Sequence, residues 1–267
     1  MKSPLARRSL AHCIAALALA VAGCSSSPTF NDKDSPEKLY ADARDEMAAG
    51  SYDKAIKMLE RVEGRAAGSL LAQQAQLDQA YAQWKSGERA TALATLDRFI
   101  KVHPSSPALD YAMYLKGIVN FNDNLGFLSS ISRQDLSERD QQASRDAYQA
   151  FRQLVDQFPD SKYSADARVR MDYIVNALAQ YELHVARYYY RRGAYLAAAN
   201  RAQQTVREFQ QTPSVEEALY ILAQSYDKLG LNDLRDDADR VLKANYPNSR
   251  FLREGLRKRE TPWWVFW

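Results

Sequence analysis

The chain has 267 residues and carries 36 lysines and arginines, 33 aspartates and glutamates, and two cysteines. Three of the cations, Lys2, Arg7 and Arg8, lie within residues 1–23, so the rest of the chain has 33 positive and 33 negative side chains and is formally neutral. A neutral chain has no global charge with which to attract nucleic acid, and we expect no nucleic-acid partner.

Residues 1–23 have the pattern of a secretory signal peptide. The positive start is followed by an apolar run over residues 10–22 that ends in small side chains. This run is shorter than the roughly 20 residues that a membrane-spanning helix needs. We therefore predict that the segment directs export and does not span the membrane.

Cys24 follows the signal directly, and the sequence VAGC at 21–24 resembles the lipobox of bacterial lipoproteins. The resemblance implies diacylglycerol on the Cys24 sulfur and an acyl group, palmitate, on the new amino terminus, with no other cofactor. The alternative is an ordinary signal-peptidase cut that leaves a free thiol, which would be a liability in an oxidising periplasm. In such lipoproteins an aspartate after the cysteine tends to retain the protein in the inner membrane, so Ser25 indicates the outer membrane. Residues 24–35 then form a lipidated flexible tether.

Beyond the tether the sequence is helical in character, and a glycine-centred pattern recurs. GSYDKAIKML starts at Gly50, GERATALATL at Gly87 and GAYLAAANRA at Gly193, and a fourth glycine is Gly230. Each glycine lies where a tight turn between two helices needs a positive φ. Five residues after each of the first three comes an alanine, which lets paired helices approach closely: Ala55, Ala92 and Ala198.

Prolines at 104, 159 and 247 are placed to end the second helix of a pair. Helix pairs with a glycine turn and a period in the mid-thirties are typical of tetratricopeptide repeats. We predict an all-α fold, an α-solenoid of about five tetratricopeptide-like helix pairs in a right-handed superhelix with a concave side. The solenoid spans 36–248, with units at 36–67, 72–105, 108–159, 163–211 and 214–248.

Two segments depart from the repeat. The insertion 122–138 contains several apolar residues, so we expect an ordered surface loop that touches a partner or closes one end of the groove. The fourth unit starts with a helix of about thirty residues that would bridge the two halves. Its apolar stripe has heptad spacing, and we favour packing inside the solenoid over pairing with another chain. The stripe comprises Ala167, Met171, Ile174, Leu178, Tyr181, Val185 and Tyr188.

Catalytic patterns are missing from the sequence. After the signal the only histidines are His103 and His184, and neither has the spacing of a metal site. The glycines form no phosphate-binding loop, and no G-x-S-x-G occurs. We therefore expect no metal site and no enzymatic activity.

Four segments resemble the BamD family, the lipoproteins of the outer-membrane β-barrel assembly machinery. They are LDRFIKVHPSSPALDYAMYLKG at 96–117, SRQDLSERD at 132–140, PDSKYSADAR at 159–168 and YELHVARYYYRRGAYLAAANR at 181–201. The resemblance implies a scaffold on the periplasmic face of the outer membrane. Its partners would be the barrel-forming subunit, bound through a POTRA domain, other assembly lipoproteins, and unfolded outer-membrane proteins. The docking residues implied in the C-terminal repeats are Arg192, Asn200 and Arg201.

Aromatic side chains on the first three units are candidates for a substrate groove. Any of them that face the concave side would suit an extended segment with aromatic side chains, as the ends of outer-membrane strands tend to have. At helical spacing each is more often a core residue. The candidates are Tyr40, Tyr81, Trp84, Tyr111 and Tyr114.

The tail, residues 249–267, is basic and then aromatic. Arg250, Arg253 and Arg257 share one helical face, and Trp263, Trp264, Phe266 and Trp267 follow Pro262. We expect the tail to be engaged, with three alternatives: a cap on the last repeat, a membrane-interface segment, or an anchor in a partner's groove.

Two other functions compete with barrel assembly. A pilotin-type repeat lipoprotein for a secretin or pilus would not explain the insertion or the long helix. A peptidoglycan-associated solenoid protein, if an enzyme, would need a catalytic domain for which no residues remain after 250.

Overall fold

The computed structural model describes residues 34–121 and 141–256. Within these ranges the chain forms eleven α-helices and no β-strand, and the fold is all-α. The predicted signal, Cys24, the tether up to residue 33, the insertion 122–138 and the aromatic end of the tail lie outside the described residues.

The described residues form two compact units that divide between Glu88 and Arg89. The division falls within the predicted repeat 72–105, so its two helices belong to different units. The second of these helices opens the second unit.

The first unit contains α1 (Pro36–Ala48), α2 (Tyr52–Arg65) and α3 (Leu70–Lys85). Serines cap α1 and α3: the Ser35 hydroxyl accepts from the Lys38 N–H, and the Ser69 hydroxyl accepts from the Ala72 N–H. Such caps satisfy amides that have no partner inside the helix. Helices α1 and α3 both pack on α2, around a core that includes Leu39, Leu59, Val62 and Ala75.

The second unit contains the remaining eight helices of the described chain. From α4 to α10, each helix packs on the next one along the chain. In addition, α7 packs on α9, and α9 packs on α11. The helices are α4 (Arg89–Val102), α5 (Leu109–Asn120), α6 (Gln141–Gln157), α7 (Ser164–Arg191), α8 (Tyr195–Glu208), α9 (Ser214–Lys228), α10 (Asn232–Asn245) and α11 (Arg250–Glu254).

The predicted helix turns and ends are confirmed. All four repeat glycines have φ between 72° and 92°. The three alanines that follow them are fully buried. Helices α4, α6 and α10 each end two residues before the expected proline, at 104, 159 and 247. These glycines and prolines therefore set the helix boundaries.

Helix α7 has 28 residues and contributes buried side chains to two core clusters of the second unit. Its first half packs with Phe151 in one cluster, and its second half packs with Ile221 in the other. The predicted heptad stripe is buried at Ala167, Ile174 and Leu178.

The stripe prediction is wrong at its C-terminal end, because Tyr188 is 46% exposed and Leu183 and Ala186 are buried instead. At about 100° per residue, Leu183 lies on roughly the opposite side of α7 from Ile174, which is far more than the drift of about 20° per heptad of a straight helix. The buried face changes because the two halves of α7 pack in different core clusters.

Candidate protein-binding site

The α7–α8 hairpin carries the three predicted docking residues. Arg201 on α8 donates from Nη1 to Oε2 of Glu182 on α7 at 2.9 Å. The Glu182 side chain is only 3% exposed, whereas that of Arg201 is 41% exposed. This hydrogen bond raises the pKa of Arg201. Arg201 thus neutralises a buried carboxylate and still presents part of its guanidinium to solvent, where a carboxylate or carbonyl of a partner can bind.

Arg192 and Asn200 have different surroundings. Arg192 follows the last residue of α7, is exposed, and holds its guanidinium carbon 5.4 Å from the centre of the Tyr188 ring. Asn200 is exposed on α8, and its side chain makes no hydrogen bond with any described residue. Both side chains are therefore accessible to a partner.

Tyrosines surround this hairpin. Tyr188 and Tyr189 meet edge to face at 5.7 Å, and Tyr190 and Tyr195 do so at 5.6 Å between ring centres. Burial, followed by the charges of Tyr220, Tyr195 and Asp227, raises the pKa of Tyr190. Tyrosine and arginine together are the residue types that most often anchor protein–protein interfaces.

A second arginine ties α7 to the next repeat. Arg187 forms a two-pronged ion pair with Glu217 on α9, with Nη2 to Oε2 at 2.6 Å. The Glu217 side chain is largely buried and that of Arg187 is half-exposed. The hairpin and α9 are therefore held in fixed register by a charged pair.

In the first unit, the three groove candidates fall into two groups. The Tyr40 hydroxyl donates to Oδ2 of the buried Asp78 at 2.6 Å, and Arg44 donates to the same oxygen at 3.3 Å. Burial and this hydrogen bond raise the pKa of Tyr40 to about 12. Tyr40 also packs against the core of the unit, which favours a structural role.

Tyr81 and Trp84 form the other group, with ring centres 5.8 Å apart and the rings edge to face. The Lys85 ammonium lies 4.2 Å from the centre of the Trp84 ring, within cation–π range. Both rings are half-buried, so each keeps a face for a ligand.

In the second unit, Tyr111 and Tyr114 contact Tyr163, and Tyr114 stacks on it at 4.8 Å between ring centres. The Tyr114 hydroxyl donates to Oδ2 of Asp166 at 2.8 Å. Burial alone would raise the pKa of Asp166, but hydrogen bonds from Arg170 and Tyr114 outweigh it and lower that pKa. Tyr114 packs against the first core cluster, so its ring serves the core.

Two cavities of the second unit are lined by none of the predicted site residues. One, of about 560 Å³, lies between α4, α5 and α6, and the other, of about 810 Å³, lies between α6, α7 and the end of α8. No group of three or more potential metal ligands occurs in the part of the chain that the structure describes. No helix among the same residues is long and apolar enough to cross a bilayer. The predicted lipid site Cys24 and the tail residues Trp263, Trp264, Phe266 and Trp267 lie outside the described residues.

Sequence reasoning missed the buried carboxylates Asp78, Glu182 and Glu217. Glu182 lies three residues after Ala179 and four before Ala186, both fully buried in the structure, so it falls on a buried face of α7. A carboxylate at such a position needs a cationic or hydrogen-bonding partner. That requirement points to an arginine on a neighbouring helix.

Comparisons with known proteins give consistent matches. The model of the YfiO family, described as outer membrane lipoprotein, matches residues 32–242. The outer membrane protein assembly factor BamD of Neisseria meningitidis serogroup B is 48% identical over 258 residues, covering 94% of this chain and 96% of that protein. The factor of the same name from Haemophilus influenzae is 34% identical, covering 86% of this chain and 88% of its own. Among solved structures, the TPR2AB domain of yeast Sti1 with pHSP90 covers 80% of this chain and 78% of its own at 12% identity, with a TM-score of 0.42.

Proposed function

Because the chain belongs to the YfiO family of outer membrane lipoproteins, we propose that it is a non-enzymatic scaffold for outer membrane protein assembly. Lipid on Cys24 holds it at the periplasmic face of the outer membrane. The observation that carries the proposal is the similarity to assembly factors along nearly the whole chain, well beyond a shared repeat pattern.

Docking on the barrel-forming subunit is assigned to the α7–α8 hairpin, with Arg201 as the central residue and Arg192 and Asn200 beside it. The support is geometric: Glu182 fixes the position of Arg201, so little side-chain freedom is lost when a partner's carboxylate or carbonyl binds. The POTRA domain of that subunit is the expected ligand, and other assembly lipoproteins bind elsewhere on the scaffold.

Tyr81 and Trp84 are the groove residues whose surroundings best suit unfolded outer-membrane proteins. Their half-buried rings and the neighbouring Lys85 can stack against the aromatic side chains of an extended segment and bind its carboxylates. Tyr40 supports the helices of the first unit. Tyr111 and Tyr114 pack on Tyr163 in the second unit.

Depletion of the protein in its host tests the assembly role. We expect the folded, heat-modifiable form of outer-membrane β-barrel proteins to decline while inner-membrane proteins stay constant. A complementing copy should restore the folded form. If barrel proteins fold normally after depletion, or if only secretin assembly fails, the proposal is wrong.

A further inference from the structure

The turn between α9 and α10 exposes an apolar surface that nothing in the described chain covers. Leu229, Leu231 and Leu234 are 38%, 42% and 46% exposed, and we call these three residues the turn patch. Val241, seven residues after Leu234 and on the same face of α10, is also exposed. Grouped large apolar side chains of this kind mark a contact surface.

The end of the described chain packs on α9, the helix that leads into this patch. Phe251 on α11 stacks on Tyr220, in the middle of α9, at 5.8 Å between ring centres. Leu256 then packs against the same core cluster as Tyr226, two turns further along α9. The Tyr226 carbonyl in turn accepts hydrogen bonds from the N–H groups of Leu229 and Leu231. The described chain therefore ends on the core cluster to which the helix leading into the turn patch also belongs.

The segment 257–267 has the length and composition to reach this surface. An extended chain spans about 3.3 Å per residue, so Trp263 can lie about 20 Å beyond Leu256. The nine-residue step from Tyr220 to Leu229, just past the end of α9, covers only about 14 Å. Four of the last five residues of the segment are aromatic.

Charge complements the apolar match. Helix α10 bears four aspartates in its first eight residues, of which Asp236, Asp237 and Asp239 form ion pairs with Arg235, Arg240 and Lys243 of the same helix. Asp233 is exposed and forms no ion pair with any described residue. The segment 257–267 begins with three consecutive cations, Arg257, Lys258 and Arg259. These cations favour the acidic start of α10 over an uncharged surface.

We propose that residues 257–267 fold back on the turn patch and cap the last repeat. The aromatic side chains at 263–267 cover Leu229, Leu231 and Leu234, and the cations at 257–259 face the aspartates of α10. This covers the apolar end that a terminal repeat would otherwise expose to water. The cap is independent of the assembly function and of which partner the scaffold binds.

Photo-cross-linking tests the cap in the full lipidated chain. Trp264 is replaced by p-benzoylphenylalanine, cells are irradiated, and the purified chain is digested for peptide mass spectrometry. We expect an internal cross-link between position 264 and peptides within 228–241, on a band of monomer size. Leu231→Lys with Leu234→Lys should lower its yield by about tenfold or more, because two apolar contacts are lost. Leu70→Lys, at an exposed leucine at the start of α3, is the matched control and should leave the yield unchanged.

Any other cross-link overturns the proposal. A band of dimer size would place the segment on a second copy, an adduct with another protein would place it in a partner's groove, and a lipid adduct would place it in the membrane interface. A cross-link to a different part of the chain, or none, also contradicts the cap. Equal yields in the double-lysine variant and the Leu70→Lys control would show that the turn patch is not the binding surface.

Discussion

At the scale of single residues, we propose two tasks for Arg201 at the α7–α8 hairpin. Toward the protein, it supplies the positive charge that the buried Glu182 requires. Toward solvent, it presents N–H groups for a partner. The two tasks predict different results for a variant in which both Arg201 and Glu182 are changed. Comparing this double variant with the single Arg201 variant separates them.

Arg201→Ala should lower the free energy of unfolding by about 1–3 kcal/mol, because it leaves the Glu182 carboxylate buried without a cation. Adding Glu182→Gln should recover much of this loss, since a neutral amide needs no counter-charge. Thermal unfolding of the single and double variants measures the effect. If Arg201 docks the partner directly, the double variant is stable but still captures the barrel-forming subunit poorly, while Glu182→Gln alone binds normally. Capture by the double variant at the wild-type level would show that Arg201 acts only inside the protein.

Deprotonation of Tyr40 should lower the stability of the folded protein at alkaline pH. Its pKa is raised from 10.0 to about 12, so the folded state retains a proton that the unfolded state loses between these two values. Its contribution to stability is complete below pH 10 and is lost as the pH rises to about 12. Tyr40→Phe should therefore flatten the fall in stability over that interval, as measured by urea unfolding at several pH values. An identical alkaline fall in both proteins would exclude Tyr40 as its source.

At the scale of helices, close approach limits side-chain size where α5 crosses α6. A Cβ on Gly117 would lie 2.3 Å from Cε1 of Phe151, which is fully buried. Alanine here would force the ring to move within a packed core. Gly64, near the end of α2, has no atom within 4 Å of the corresponding position.

Gly117→Ala should therefore destabilise the protein by about 1–3 kcal/mol, the usual cost of overpacking. Gly64→Ala is the matched control and should stabilise it by up to about 1 kcal/mol, because alanine loses less backbone entropy in a helix. Chemical denaturation of both variants gives the comparison. Equal effects would mean that α5 and α6 do not approach as closely as described.

The helix ends could be predicted from the sequence because glycine and proline act locally. Gly50 and Pro104 needed no knowledge of neighbouring helices to be placed. The buried partners of Arg201 and Tyr40 could not be predicted in this way, since Glu182 and Asp78 become buried only when another helix packs on them. The error at Tyr188 has a similar origin, because which side of α7 is buried depends on the helices that each half of α7 contacts.

At the scale of the whole molecule, the proposed attachment to the membrane rests on Cys24. Cys24→Ala should yield an uncleaved or a soluble periplasmic form, because the sulfur that would carry the lipid is missing. Fractionation of cells, with mass spectrometry of the wild-type amino terminus, tests this. A membrane-bound variant, together with a wild type that carries no lipid mass, would contradict lipidation.

The central claim is that the chain is a scaffold for assembling outer-membrane barrels, and affinity purification from solubilised outer membranes tests it most directly. The wild-type chain should bring down a β-barrel protein with periplasmic domains, and the stable double variant Arg201→Ala with Glu182→Gln should bring down less of it. Recovery of a secretin in its place, or of no barrel protein with periplasmic domains, would contradict the claim.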